Sequence, residues 1–245
     1  MSKIRIDRML QYCGFGSRKE VKQLLKSGRA RVSGVSELTP DFKLDPWEAE
    51  LTVDGKTVEF RPVLAVMLHK PAGYLSARVD GRDPTVLDLL DDSLKTRKLS
   101  PAGRLDKDAT GLLLLTDDGE AVHRLLSPKT HTEKTYRVRL DKPADAADVE
   151  AFRDGIIFSD FISMPAELVI SDSPREALVT LHEGKYHQVK RMFRARGKRV
   201  VSLHRVKFAG LTLPEELKPG EYRVLSNAEW GEVRAAAGLS SQPEL

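Results

Sequence analysis

Apolar residues at Ile6, Met9, Leu10 and Cys13 recur at the spacing of one helix face, and Gly14 supplies a stop. Ser17-Arg-Lys-Glu20 has the form of a capping box opening a second predicted helix. Its inner face is Val21, Leu24 and Leu25, and its outer positions include Arg18, Lys19, Lys22 and Lys26. Ser27-Gly28 ends that helix and RARV leads into a strand. LTVDGKTV at 51–58 then alternates about Asp54-Gly55, a pair that favours a two-residue hairpin. Beyond Arg61-Pro62, VLAVMLHKPAG reads as a buried strand closed by a turn, and VLDLL as a short helix. The stretch 91–100 is polar and reads as a loop, whereas LLLLT needs burial as a central strand. Asp117-Asp118-Gly119 turns into a helix over 120–126, and KTYRVRL alternates with Tyr136, Val138 and Leu140 on one face. A helix is predicted over 144–155 and strands over 166–170 and 177–182, the second continuing into an exposed turn, EGKYHQ. A helix over 187–196 turns Val189, Met192 and Phe193 inward; RVVSLHRVKFAG reads as a strand and Gly238 onward as a frayed tail. Short strands, interleaved helices and hairpin-length connections argue an α+β chain with domains at 1–60 and 61–245.

Charge changes this picture more than composition does. The 245 residues are 40% hydrophobic and 31% charged, as in ordinary globular chains, and no apolar run approaches the ~20 residues of a membrane helix. Charges interrupt every apolar stretch of MSKIRIDRMLQ, which argues against a signal peptide. Cys13 is the single cysteine, so an internal disulfide and a cysteine-rich zinc site are excluded, and a reducing cytoplasm fits. The net charge of +4 conceals an asymmetry: residues 1–31 hold nine Lys or Arg against Asp7 and Glu20. A second cluster, 185–207, holds nine Lys or Arg and no acid. Two separate acid-poor clusters point to a polyanionic partner, nucleic acid. The lysines of the second helix also lack the glutamates at i±4 that a merely solubilising face would carry.

No metal or cofactor is expected. The six histidines never form HExxH, and neither GxGxxG nor GxxxxGK[ST] occurs. In GRLDKDATGLLLLTDDG at 103–119, Asp106 lies between Arg104 and Lys107 where a polar stretch enters a buried strand. A carboxylate flanked by cations stays ionised even where water is partly excluded. Spacing leaves two readings, a charged turn that delivers the strand or a held carboxylate that serves as nucleophile or base. Asp108 competes with it on composition. His187, at a helix start, reads as a hydrogen-bonded structural residue.

That same stretch resembles the signature of the pseudouridine synthases, in the RsuA-type, small-subunit ribosomal RNA branch. EKTYRV, EGKYHQVKRMF at 183–193 and SLHRVKFAGLTL at 202–213 resemble its further motifs in the right order, over residues 63–225. The resemblance implies a catalytic Asp106, a basic partner at Lys190 and an aromatic platform at Tyr136 for an everted uridine. It implies a catalytic domain on a mixed, largely antiparallel sheet flanked by helices, and no cofactor. The first 60 residues resemble the alpha-L RNA-binding module. RNA contacts are accordingly expected at Arg5, Arg8, Arg18, Lys19, Lys22, Lys26, Arg29, Arg104, Arg191 and Arg194. The implied reaction is uridine isomerisation in small-subunit rRNA of a partly assembled particle, carried out by a monomer. The same chemistry on large-subunit rRNA, or a non-catalytic rRNA-binding factor, are the alternatives. Whether the carboxylate attacks C1′, adds to C6 or takes the 2′ proton stays open.

Overall fold

Ser17 caps its helix as expected. Its hydroxyl accepts from the Glu20 amide, and the Glu20 carboxylate accepts from the Ser17 amide at 2.7 Å. The computed structural model describes residues 3–95 and 97–243. Their contacts separate the chain between Val63 and Leu64 into two units. In the first, β1 (Ile4–Arg5) leads into α1 (Ile6–Tyr12), followed by α2 (Arg18–Lys26), β2 (Ala30–Val32), β3 (Lys43–Leu44), β4 (Leu51–Val53) and β5 (Lys56–Thr57). β1 pairs β3, while β2, β4 and β5 form a small antiparallel sheet. Both helices press Ile6, Met9, Leu10, Val21, Leu24 and Leu25 onto one core. Asp54 and Gly55 turn the β4–β5 hairpin with φ of 51° and 76°, the left-handed pair that suits strand twist.

The second unit is built on one nine-stranded sheet. Its elements are β6 (Ala65–Lys70), α3 (Asp92–Lys95), β7 (Ser100–Ala102), β8 (Thr110–Thr116), α4 (Gly119–Leu126), β9 (Lys134–Leu140) and α5 (Ala146–Asp154). There follow β10 (Glu167–Ile170), β11 (Glu176–Leu181), α6 (Gln188–Ala195), β12 (Val200–Phe208), β13 (Leu211–Thr212), β14 (Tyr222–Val224) and α7 (Asn227–Ala236). The strand order is β10-β11-β9-β12-β8-β6-β14, with β13 on β12 and β7 on β8. Every pairing is antiparallel except β12 with β8. The fold is thus the mixed, largely antiparallel α+β arrangement expected. Val66, Leu68, Leu113, Leu115, Val138 and Leu140 share a core with Phe152 of α5 and Met192 and Phe193 of α6.

Several sequence expectations need correction. The polar stretch 91–100 holds α3 and the first residue of β7 rather than only loop. β14 and α7 had no counterpart in the sequence reading. The tail after Gly238 is not frayed at its start: the Leu239 amide donates to Arg234, and Arg234 Nε donates to the Ser240 carbonyl at 2.8 Å. Asp118 explains this end of the chain. Its carboxylate caps α4 through the Ala121 amide and accepts from Trp230 Nε1 at 3.2 Å and from the Arg234 guanidinium. Asp118 and Arg234 are both buried, so each ion needs the other.

Three further cations lie buried in the sheet without a carboxylate in ion-pair contact among the described residues: Lys70, Lys134 and Arg205. Lys134 donates to the Thr132 carbonyl, and both it and Arg205 lie over the Phe208 ring, at 5.6 and 4.6 Å. Burial drops the pKa of both Lys70 and Lys134 to about 8.

Two outcomes follow from these buried charges. Arg234→Met strands the Asp118 carboxylate and should cost about 3–5 kcal/mol of unfolding free energy by urea titration; a loss under about 1 kcal/mol would refute the pairing. For Lys134, the folded chain sheds its proton from about pH 8, while the unfolded chain holds it to the ordinary value of 10.5. The unfolded state therefore binds more protons in that window, and stability rises with pH across it. The advantage of wild type over Lys134→Met should grow by on the order of 1 kcal/mol between about pH 8 and 10. A flat difference would show that the ammonium is not desolvated.

Candidate active site

Parallel strands start at the same end of a sheet, and that geometry assembles the site. β12 pairs β8 with His204 opposite Thr110 and Arg205 opposite Gly111. The loop 103–109 that enters β8 and the helix α6 that precedes β12 are thereby brought together. Gly111 permits the approach. Its φ is +108°, and a Cβ there would meet the Arg205 carbonyl oxygen at 2.3 Å, so no other residue fits.

Asp106 and Lys190 meet across this junction. The Lys190 ammonium lies 2.8 Å from Asp106 Oδ2 and 2.7 Å from Asp108 Oδ1, bridging both carboxylates. The two acids, equivalent by composition, differ in burial: the Asp106 side chain is 23% exposed and that of Asp108 75%. Burial pulls the Lys190 pKa down, but the hydrogen bonds to both aspartates outweigh it and the net shift is upward. Lys190 in turn holds the Asp108 carboxyl below its usual range. His187 Nε2 stands 3.4 Å from Asp106 Oδ1, so this histidine faces the carboxylate rather than serving only the helix start.

Sequence reasoning missed what supports the loop from below. Register aligns Lys70, Gly111, Arg205 and Tyr136 across β6, β8, β12 and β9. Lys70 Nζ donates to the carbonyls of Pro71, Lys107 and Ala109, at 3.0, 3.3 and 2.8 Å, and so ties down both sides of Asp108. Its field also reaches Asp106 and Asp108. Ser76 Oγ adds a bond to the Leu105 carbonyl and accepts from the Leu105 amide, each 3.0 Å. A lysine ahead of a Pro turn was visible in the sequence, but nothing local showed that its amine points inward. Arg205 is 1% exposed; its Nε donates to Leu112, and its Nη2 has no hydrogen-bond partner. Burial lowers its pKa, opposed by the Tyr136 phenol beside it.

The remaining residues singled out from the sequence divide by environment. Tyr136 is 8% exposed, with its ring in the main core beside Val138 and Leu140, so very little of it is free to meet a base. Arg104 and Arg194 are exposed. Arg191 is committed to its own unit: it pairs Asp160 and stacks on Phe158 and Phe161, 4.7 and 4.9 Å from their centroids. In the first unit Arg5 and Arg18 converge on Asp7, at 2.8 and 3.7 Å, and Arg29 pairs Asp54. Arg8 donates to the Tyr12 hydroxyl at 3.0 Å. Lys19, Lys22 and Lys26 are exposed along α2. No cluster of His, Cys, Asp or Glu suited to a metal ion occurs among the described residues. No helix among them is long and apolar enough to cross a membrane.

The sequence pattern described as RNA pseudouridylate synthase matches residues 65–195, which hold the Asp106 loop, β9 and α6. The ribosomal small subunit pseudouridine synthase A of Vibrio cholerae is 44% identical over 229 residues, 92% of this chain and 97% of that protein. Its namesake in Escherichia coli strain K12 is 40% identical over 233 residues, 94% of this chain and all of that one. A crystal structure of a pseudouridylate synthase superposes with a TM-score of 0.66 at 35% identity, covering 94% of this chain and 99% of that one. The loop–helix junction and the full-length likeness agree, and the chain belongs to the RNA pseudouridylate synthase family of isomerases.

Proposed function

We propose that this chain isomerises a uridine of small-subunit ribosomal RNA to pseudouridine, with Asp106 as the catalytic carboxylate. The observation that carries the reading is the enclosed Asp106 side chain held 2.8 Å from the Lys190 ammonium. In the reaction the C1′–N1 bond breaks, uracil turns over, and a C1′–C5 bond forms; N1 gains a proton and C5 loses one. No electrons leave the substrate. A fixed carboxylate can drive this by attack on C1′, addition to C6 or removal of the 2′ proton, and in each case it must stay ionised and aimed. Lys190 supplies both conditions through a charge-assisted hydrogen bond.

The target nucleotide has to leave its stack to present its sugar. Tyr136 supports the everted base with the small part of its ring left outside the core, and Arg104 meets RNA at the mouth of the loop. The first unit is the alpha-L type RNA-binding domain, its exposed cations on α2 gripping phosphate with little sequence reading. The names of the Vibrio cholerae and Escherichia coli relatives favour small-subunit rRNA. The substrate is that RNA in a partly assembled cytoplasmic particle, met by a monomer.

Purified protein and its Asp106→Asn variant, each incubated with small- and large-subunit rRNA, should differ in pseudouridine mapping. Wild type makes one modified small-subunit site and the variant none. Modification confined to large-subunit rRNA would redirect the target, and no product on either would overturn the enzymatic reading. Tritium release from rRNA labelled at uridine C5 should show Lys190→Met losing at least about 100-fold in kcat with KM within a few-fold, and Lys190→Arg recovering part of it. Equal kcat for Lys190→Met would remove the lysine from the mechanism.

A further inference from the structure

We infer that Tyr186, with His187 beneath it, is a stacking platform for the base next to the uridine that enters the site. The inference rests on the proposed RNA substrate and extends it. Tyr186 is 70% exposed, unusual for so large an aromatic side chain with no solubilising role. Its ring lies on the His187 imidazole at 3.8 Å between centroids and 21° between planes. The imidazole itself reaches Asp106 at 3.4 Å. The free side of the tyrosine is therefore one stacking step removed from the catalytic carboxylate, the place where a strand feeding one nucleotide into the site puts its neighbour.

The platform is rigid rather than a loose turn. Gln188 is buried; its Nε2 donates to Glu183 Oε1 at 2.6 Å and its Oε1 accepts from the Lys185 amide at 3.0 Å. Glu183 Oε1 also accepts from the Met164 amide at 2.8 Å. Next to these bonds His187 holds φ of +50°, a left-handed conformation rare for residues other than glycine. A preorganised aromatic face loses little entropy when a base stacks on it. The neighbouring charge suits a polyanion: Lys185, next to Tyr186 in sequence, is exposed. An apolar peptide would bury this cation; a nucleotide pairs its phosphate with it and its base with the ring.

Equilibrium binding to a small-subunit rRNA transcript, in the Asp106→Asn background so that no turnover intervenes, tests this. Tyr186→Leu should weaken binding by about 5- to 100-fold, the usual worth of one base–aromatic contact, while Tyr186→Phe stays within about twofold. The slope of log affinity against log salt should be the same for all, because no phosphate contact is lost. Thermal unfolding should be the same too, since the ring is exposed. In the otherwise wild-type enzyme, Tyr186→Leu should lower kcat/KM by the factor seen in binding. Tyr186→Leu binding as tightly as the parent, or Phe weakening as much as Leu, would overturn the platform. If no pseudouridine is made by wild type, the functional reading fails, yet the binding series still decides whether the ring stacks on RNA.

Discussion

The parallel pairing of β12 with β8 is the constraint on which the site depends. Every other neighbouring pair in the sheet is antiparallel, an arrangement that separates the entries of adjacent strands. Among the described residues only the one parallel pair sets two entries side by side, and these are the Asp106 loop and α6. The Lys190–Asp108 bond joins positions 82 residues apart in sequence. Its geometry is inherited from backbone hydrogen bonds at the sheet centre, not from the loop itself. Gly111 is where that inheritance is most demanding, because the Arg205 backbone occupies the space a side chain would need.

Beneath the site the protein accepts an electrostatic cost. Lys70, Lys134 and Arg205 are buried positive charges that meet backbone carbonyls and a ring face rather than carboxylates, and Arg205 Nη2 meets no acceptor at all. Carbonyl dipoles compensate desolvation only partly, which is why the two lysines titrate near 8. Of the three cations, Lys70 is the one whose charge reaches Asp106 and Asp108. Lys190 through the two carboxylates, and Lys70 through the carbonyls of Lys107 and Ala109, fix the loop from two directions. Asp118 with Arg234 shows the opposite solution elsewhere in the unit, a buried pair neutral as a whole.

What could be read from sequence was what local chemistry specifies. The capping box at Ser17, the Asp54-Gly55 hairpin, the alternating KTYRVRL strand and the amphipathic α6 each carry their signal within a few residues. The resemblance supplied the pairing of Asp106 with Lys190, which periodicity could not. Features set by distant partners were hidden. α7 has a weakly amphipathic sequence, and its order comes from Trp230 and Arg234 reaching Asp118. Lys70 carries no local mark of its role, which comes from the carbonyls of Pro71, Lys107 and Ala109 around its amine. The burial of Tyr136 to 8% exposure fits its alternation with Val138 and Leu140 on one strand face. Tyr186 and His187 read as an exposed turn and a helix start, because nothing local reveals that one ring rests on the other.

The strand order also bears on when the site can exist during synthesis. β6, β7 and β8 neighbour one another in the sheet, and β9, β10 and β11 make a second antiparallel ladder, each from strands close in sequence. β12 is inserted between these halves and is made after both. A nascent chain that stops short of it has two sheet fragments, each with an open inner edge, and holds Asp106 and Lys190 on separate pieces. The carboxylate acquires its ammonium only with the last inserted strand, so a growing polypeptide carries no assembled centre past the RNA of the machine that is making it.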